Sequence, residues 1–151
     1  MNEPERIADQ MLRSQQGSAW HGPALGELLT DVDAARALRR PLPAVHNIWE
    51  LVLHVTAWQV AAGGALDGAA MPNMSESEDW PATGPGGEPE WKSAKARLER
   101  ASEKLISAIR AFPEKRLGDQ VPGREYSFYF LLHGITQHNL YHAGQIALLK
   151  K

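Results

Sequence analysis

Between Trp91 and Phe112 the apolar side chains of Trp91, Ala94, Leu98, Ala101, Leu105, Ala108 and Phe112 recur at an unbroken alternation of three and four. Residues so spaced stack along one side of an α-helix. A strand, whose side chains alternate every second residue, could not bury them together. The stripe is a bundle seam and demands other helices with the same pattern.

Such partners are present. A segment over about 4–16 sets Ile7, Met11 and Leu12 on one side. A second, over about 46–66, carries Asn47, Leu51, His54, Trp58, Ala61 and Ala65 on one stripe, with Ile48, Val52, Val55, Ala62 and Leu66 beside it. A last one, running to about 149, steps through Phe128, Leu131, Ile135, His138, His142, Gln145 and Leu149. Asn47 or His46 is placed to cap the second helix and Ser127 or Gly123 the last, while Pro113 stops the third. Shorter helical pieces fit 23–30 and 31–38. Clean period-two runs are missing. The sequence therefore predicts an all-α chain, a single domain over 1–151 built as an antiparallel four-helix bundle. Between the second and third main helices, residues 67–88 hold four Gly and three Pro. They read as a long loop without helix, suited to a lid or binding loop, with Trp80 folded back onto the bundle.

Composition narrows the function. Sixteen Lys and Arg against eighteen Asp and Glu leave a net charge of −2, without the basic excess of a nucleic-acid groove. With no cysteine, a thiolate metal site, a disulfide and a cysteine nucleophile are excluded. The N-terminus lacks an apolar signal core, and Leu51–Leu66 is too short and too polar to span a bilayer. The expectation is a cytoplasmic protein that engages neither membrane nor nucleic acid. No phosphate-binding glycine loop or serine elbow is present.

The last helix carries the chemistry. Its inward stripe changes from apolar residues to His138 and His142, four apart, so their imidazoles stand one above the other. This is the spacing by which one helix gives two nitrogens to one metal ion. The second helix offers His54 on its own inward stripe. Three neutral imidazoles suit a divalent ion, zinc or nickel first, with iron, cobalt or manganese also admitted, and leave a coordination position open for water or substrate. Glu50, one turn before His54, and Gln145, three after His142, are placed to orient the ligands. Glu50 and His21 are the candidate catalytic bases. His133, about 140° around the helix from His138, faces elsewhere. Glu76, Glu78 and Asp79 read as a solvated loop.

The segments AWHGPALGELL, HNIWELVLHVTAW, EDWP and GITQHNLYHAGQIALLKK, in that order, resemble the DinB-like superfamily of metal-dependent enzymes. The resemblance covers nearly the whole chain. It implies a bundle with up-down-down-up helix directions, a homodimer, and a divalent metal held by three histidines that map onto His54, His138 and His142. It also implies a small-molecule substrate and a transferase or isomerase chemistry that uses a low-molecular-weight thiol such as bacillithiol, mycothiol or glutathione. Asn139 departs from the acid that many relatives carry after the first histidine of the pair. Two other readings use the same residues: a hydrolase with a metal-activated water, and a non-catalytic dimeric bundle whose metal is structural or absent.

Overall fold

The computed structural model describes residues 1–151. Its helices are α1 (Glu3–Gln16), α2 (Leu25–Leu29), α3 (Ala34–Leu38), α4 (Ile48–Leu66), α5 (Glu76–Asp79), α6 (Glu88–Ala111) and α7 (Phe128–Leu149), with a 3-10 turn at Glu114–Arg116 and no strand. The boundaries follow local chemistry. Asn2, Asn47 and Ser127 accept from the backbone N–H of Glu5, Glu50 and Phe130 respectively, each supplying an acceptor to an otherwise unpaired helix start. Glu50 also reaches back to the Asn47 N–H, closing a capping box.

Four long helices form the bundle. α6 and α7 each lie beside both α1 and α4, leaving α1 and α4 on one diagonal and α6 and α7 on the other. The two halves of the core fix the helix directions. One half joins the C-terminal turns of α4 and α6 (Leu66, Ile109) to the N-terminal half of α7 (Phe128, Leu131) and to Ile7 of α1. The other joins the N-terminal turns of α4 and α6 (Ile48, Trp91) to the C-terminal half of α7 (Ala143, Ile146), with α2 and α3 covering that end. α4 and α6 therefore run parallel, and α7 opposes both. At the far end the Glu3 N–H donates to Glu114 just beyond α6, and the Glu3 carboxylate meets His133 near the start of α7, so α1 runs with α7.

The order is up, down, down, up, as the resemblance implies. It corrects the simple antiparallel expectation, because the neighbours α4 and α6 point the same way. Two parallel helices cannot be joined by a tight turn. The chain must return along α4, about 28 Å for 19 residues at 1.5 Å each, before α6 can start. Residues 67–87 make that return, so their length is set by topology. They are also not free of helix: the Glu78 carboxylate accepts from the Ser75 N–H at the start of α5.

Between the two apolar halves lies a buried polar belt that spans all four long helices. The Ser102 hydroxyl donates to Gln59 Oε1 at 2.6 Å, and Gln59 Nε2 donates to Asn139 Oδ1 at 2.9 Å. Asn139 Nδ2 in turn faces Gln15 Oε1 at 3.3 Å and Ser14 Oγ at 3.5 Å. Gln59, Ser102 and Asn139 are fully buried. Each answers another's hydrogen-bonding group, which is how a protein interior tolerates amides and hydroxyls.

Candidate metal centre

His54 stands in the middle of α4, and His138 and His142 on the facing side of α7. Their Nε2 atoms converge: His138 Nε2 lies 3.0 Å from His54 Nε2 and 3.1 Å from His142 Nε2. One nitrogen from each residue lies within 4.8 Å of the other two.

The outer nitrogens decide the tautomers. His54 Nδ1 sits 2.8 Å from the Asp79 carbonyl oxygen and 3.1 Å from Asp79 Oδ1. His142 Nδ1 sits 2.6 Å from Gln145 Oε1. Oxygens of these kinds only accept, so both Nδ1 atoms carry the proton and both Nε2 atoms present lone pairs. His138 has one proton for its ring when neutral. Placed on Nε2, it answers one of the two facing lone pairs. Placed on Nδ1, it answers neither, and that buried atom has no partner. At least one lone pair is left facing nitrogen with no hydrogen between them.

A cation at the convergence point would resolve this shortage. Nitrogens about 2.0–2.1 Å from a tetrahedral zinc ion lie ~3.3 Å apart, close to the spacing found here. Ligating histidines regularly donate their other N–H to a carboxylate, carbonyl or similar acceptor, as His54 and His142 do. The residues fit a divalent metal ion, and imidazole suits zinc, nickel, iron or copper alike.

Electrostatics favours the ligating form. Burial pushes all three imidazoles toward the neutral state, furthest for His138, which falls from 6.5 to about 3 through desolvation and the neighbouring His142 and His54. A buried neutral His binds fewer protons than the same residue unfolded, so stability must rise with pH across that interval. The contribution is complete above about 6.5 and is lost as pH falls toward about 3. Metal-free protein is therefore expected to show a lower urea midpoint at pH 5 than at pH 7, with His138→Phe flattening the slope. An equal slope in the two proteins would contradict this account.

The crossover builds the remaining wall. Asp79 Oδ1 also accepts from Trp58 Nε1 at 2.7 Å, which fixes the carboxylate against α4. The Trp80 ring stacks on His54 at 3.9 Å between centroids and 6° between planes, and His46 stacks on its other face at 3.4 Å and 4°. An open cavity of about 410 Å³ reaches the three imidazoles, walled mainly by Trp58, Met71, Phe130, Ile135 and Tyr141.

The three metal-ligand candidates thus come together, with Gln145 behind His142 as its spacing suggests. The two candidate bases do not join them. Glu50 serves the Asn47 cap and pairs with Arg40 and His46, and it does not line the cavity. Its position as the fourth residue of Asn47-Ile48-Trp49-Glu50 was the signal for that role. His21 is exposed beside a different groove, near Arg36 and Lys150. His133 is turned to Glu3. The residue that sequence reasoning missed is Asp79. It takes the orienting place expected of Glu50, and its only cue was the Trp beside it in a polar loop.

A helical bundle with a buried cluster of three imidazoles able to hold a metal ion is the class these features define. Residues 20–146 match the DinB superfamily, and the chain belongs to that family. Comparison with curated proteins and with solved structures gave no match. No helix is long and apolar enough to cross a membrane.

Proposed function

We propose that this chain is a divalent-metal enzyme that transfers a small thiol to an electrophilic acceptor, with His54, His138 and His142 as the metal ligands. One observation carries the reading. Two imidazoles already tied through Nδ1 aim their free Nε2 lone pairs, with the third ring, at one spot on an open cavity. A divalent ion there, zinc or nickel in first place, would keep a position for substrate and supply the charge that favours a thiol as its thiolate.

The protein's own groups hold and shield. Asp79 and Gln145 keep two rings in the ligating tautomer, and Trp80 fixes the plane of His54. The apolar walls strip water from the reacting sulfur. In the transfer the S–H bond breaks and its proton goes to solvent. The sulfur's electron pair forms the bond to the acceptor carbon, and the leaving group departs with its own pair. The chain has no cysteine, so the sulfur comes with the substrate.

Support for a thiol over hydrolysis comes from the carboxylates. Asp79, the carboxylate lining the cavity, is engaged by Trp58 and His54, while Glu50 and His21 lie elsewhere. A thiol needs no protein base if it gives its proton to solvent on binding. The resemblance to thiol-dependent relatives supplies the substrate class, and the reading includes a homodimer on the same ground.

The test is metal depletion and return. Chelated protein should consume glutathione or 2-mercaptoethanol with 1-chloro-2,4-dinitrobenzene no faster than buffer, and zinc or nickel should restore the rate. Equal thiol consumption with and without metal overturns the transferase reading. Metal-dependent hydrolysis of 4-nitrophenyl acetate without thiol turnover supports the hydrolase in its place.

A further inference from the structure

A glycine inside a helix needs a reason, since it weakens the helix relative to almost any other residue. Gly26 has one: a Cβ there would stand 2.8 Å from the Gln15 carbonyl oxygen, so α1 and α2 could not approach. Gly134 has no such neighbour, and unlike Gly63 and Gly144, which also stand clear inside long helices, it lines the cavity before the imidazoles. A Cβ built on it meets nothing within 4 Å. Its place is on the cavity wall of α7, four residues after Phe130, four before His138 and seven before Tyr141. These positions share one helix face, so Gly134 is a gap in the wall about one turn, ~6 Å, from His138.

The surroundings of the gap are aromatic and uncharged. Phe130 stands one turn before it and Tyr141 two turns after it, beyond His138, and the two rings are 65% and 66% exposed. Trp58 and Met71 line the same cavity. No Lys or Arg does. Arg124, two residues from the lining Tyr126, is held by the Pro72 carbonyl and the Asn73 side chain. The one carboxylate, Asp79, already accepts from Trp58 and His54. A charged ligand group at the end of the gap remote from the imidazoles would face these apolar walls with no side chain of opposite charge.

We propose that this gap seats an uncharged aromatic group of the ligand, and that Gly134 is the specificity-determining residue that makes room for it. The ring lies over Gly134 between Phe130 and His138, where offset or edge-on contacts with Phe130 are available, and the ligand's reacting end points along α7 to the imidazoles. The inference deepens the metal-enzyme reading and rests on it for the orientation of the ligand.

Gly134→Leu tests it. Leucine favours the helix and projects into open space, so the variant should fold and retain zinc at wild-type stoichiometry. Gly134→Ala serves as a smaller second substitution. The readout is the ¹⁹F line width of two probes on zinc-loaded full-length protein: 4-fluorobenzyl alcohol, and 3-fluoro-4-(hydroxymethyl)benzoate, which adds a carboxylate at the far end of the ring. The wild type should bind the alcohol at least about tenfold more tightly than Gly134→Leu does, with Gly134→Ala between. The carboxylate probe should bind the wild type at least about tenfold more weakly than the alcohol. Equal binding of the alcohol by wild type and Gly134→Leu overturns the seat, and equal binding of the two probes overturns its preference for uncharged rings. Neither probe contains a thiol. Failure of the transferase reading would show as absent thiol turnover while the alcohol still binds, and failure of the seat would show as thiol turnover without any effect of Gly134→Leu.

Discussion

Alanine at His138 is expected to abolish stoichiometric metal binding. The wild type should carry about one divalent ion per chain after gentle purification, and the variant none that survives dialysis, an affinity loss above ~10²-fold. The geometry makes His138 the most damaging single choice. Its Nε2 is within 3.1 Å of both other Nε2 atoms, whereas His54 and His142 are each held from outside by Asp79 and Gln145. Removing the middle ring leaves two nitrogens on different helices, too few for tight binding of most divalent ions. Elemental analysis and competition against a chromophoric chelator measure the loss. His133→Ala, whose ring is turned to Glu3, should keep its metal. Full metal in His138→Ala would mean that the ion, if any, binds elsewhere.

The second large effect concerns stability. Leucine at Asn139 matches the side chain in size but leaves Gln59 Nε2 and Gln15 Oε1 without their partner in the bundle centre. Two buried groups so orphaned, at about 1–3 kcal/mol each, cost about 2–6 kcal/mol, and a loss of about 3 kcal/mol is expected. For a chain of this length that corresponds to roughly 6–12 °C in Tm. Adding Gln59→Leu should recover part of the loss, because removing both partners is cheaper than removing one. Urea melts of the two single variants and the double variant give the coupling. An Asn139→Leu protein as stable as the wild type would show that the belt contributes nothing to holding the helices together.

Asn139 also shows where sequence reading stopped. Beside His138, it read only as a departure from the acid that the resemblance implies at that position. In the fold it points into the bundle centre and pairs across to α4 and α1. One residue along a helix is a rotation of 100°, enough to leave the metal face altogether. The seams were legible because burial of apolar stripes repeats along the chain, and the three imidazoles were legible because they interrupt those stripes. Gln59 and Ser102 interrupt them as well, but an amide or hydroxyl on a helix gives no sign of which distant partner satisfies it. Asp79 was hidden for the same reason. Its contact with His54 depends on the path of the crossover, and that path follows from helix directions that periodicity does not encode. Glu50 is the opposite case: its capping role was readable four residues at a time, and proximity to His54 drew attention from it.

The parallel pairing of α4 with α6 has a consequence for how the molecule comes into being. His54 and His138 are 84 residues apart, and the second of them lies in the final helix. Contacts this distant must close a large loop before they gain anything, so they form late along the folding route. The imidazole cluster is complete only when α7 packs against α4. A chain still emerging from the ribosome can offer an ion only one ring of the three until α7 has been made.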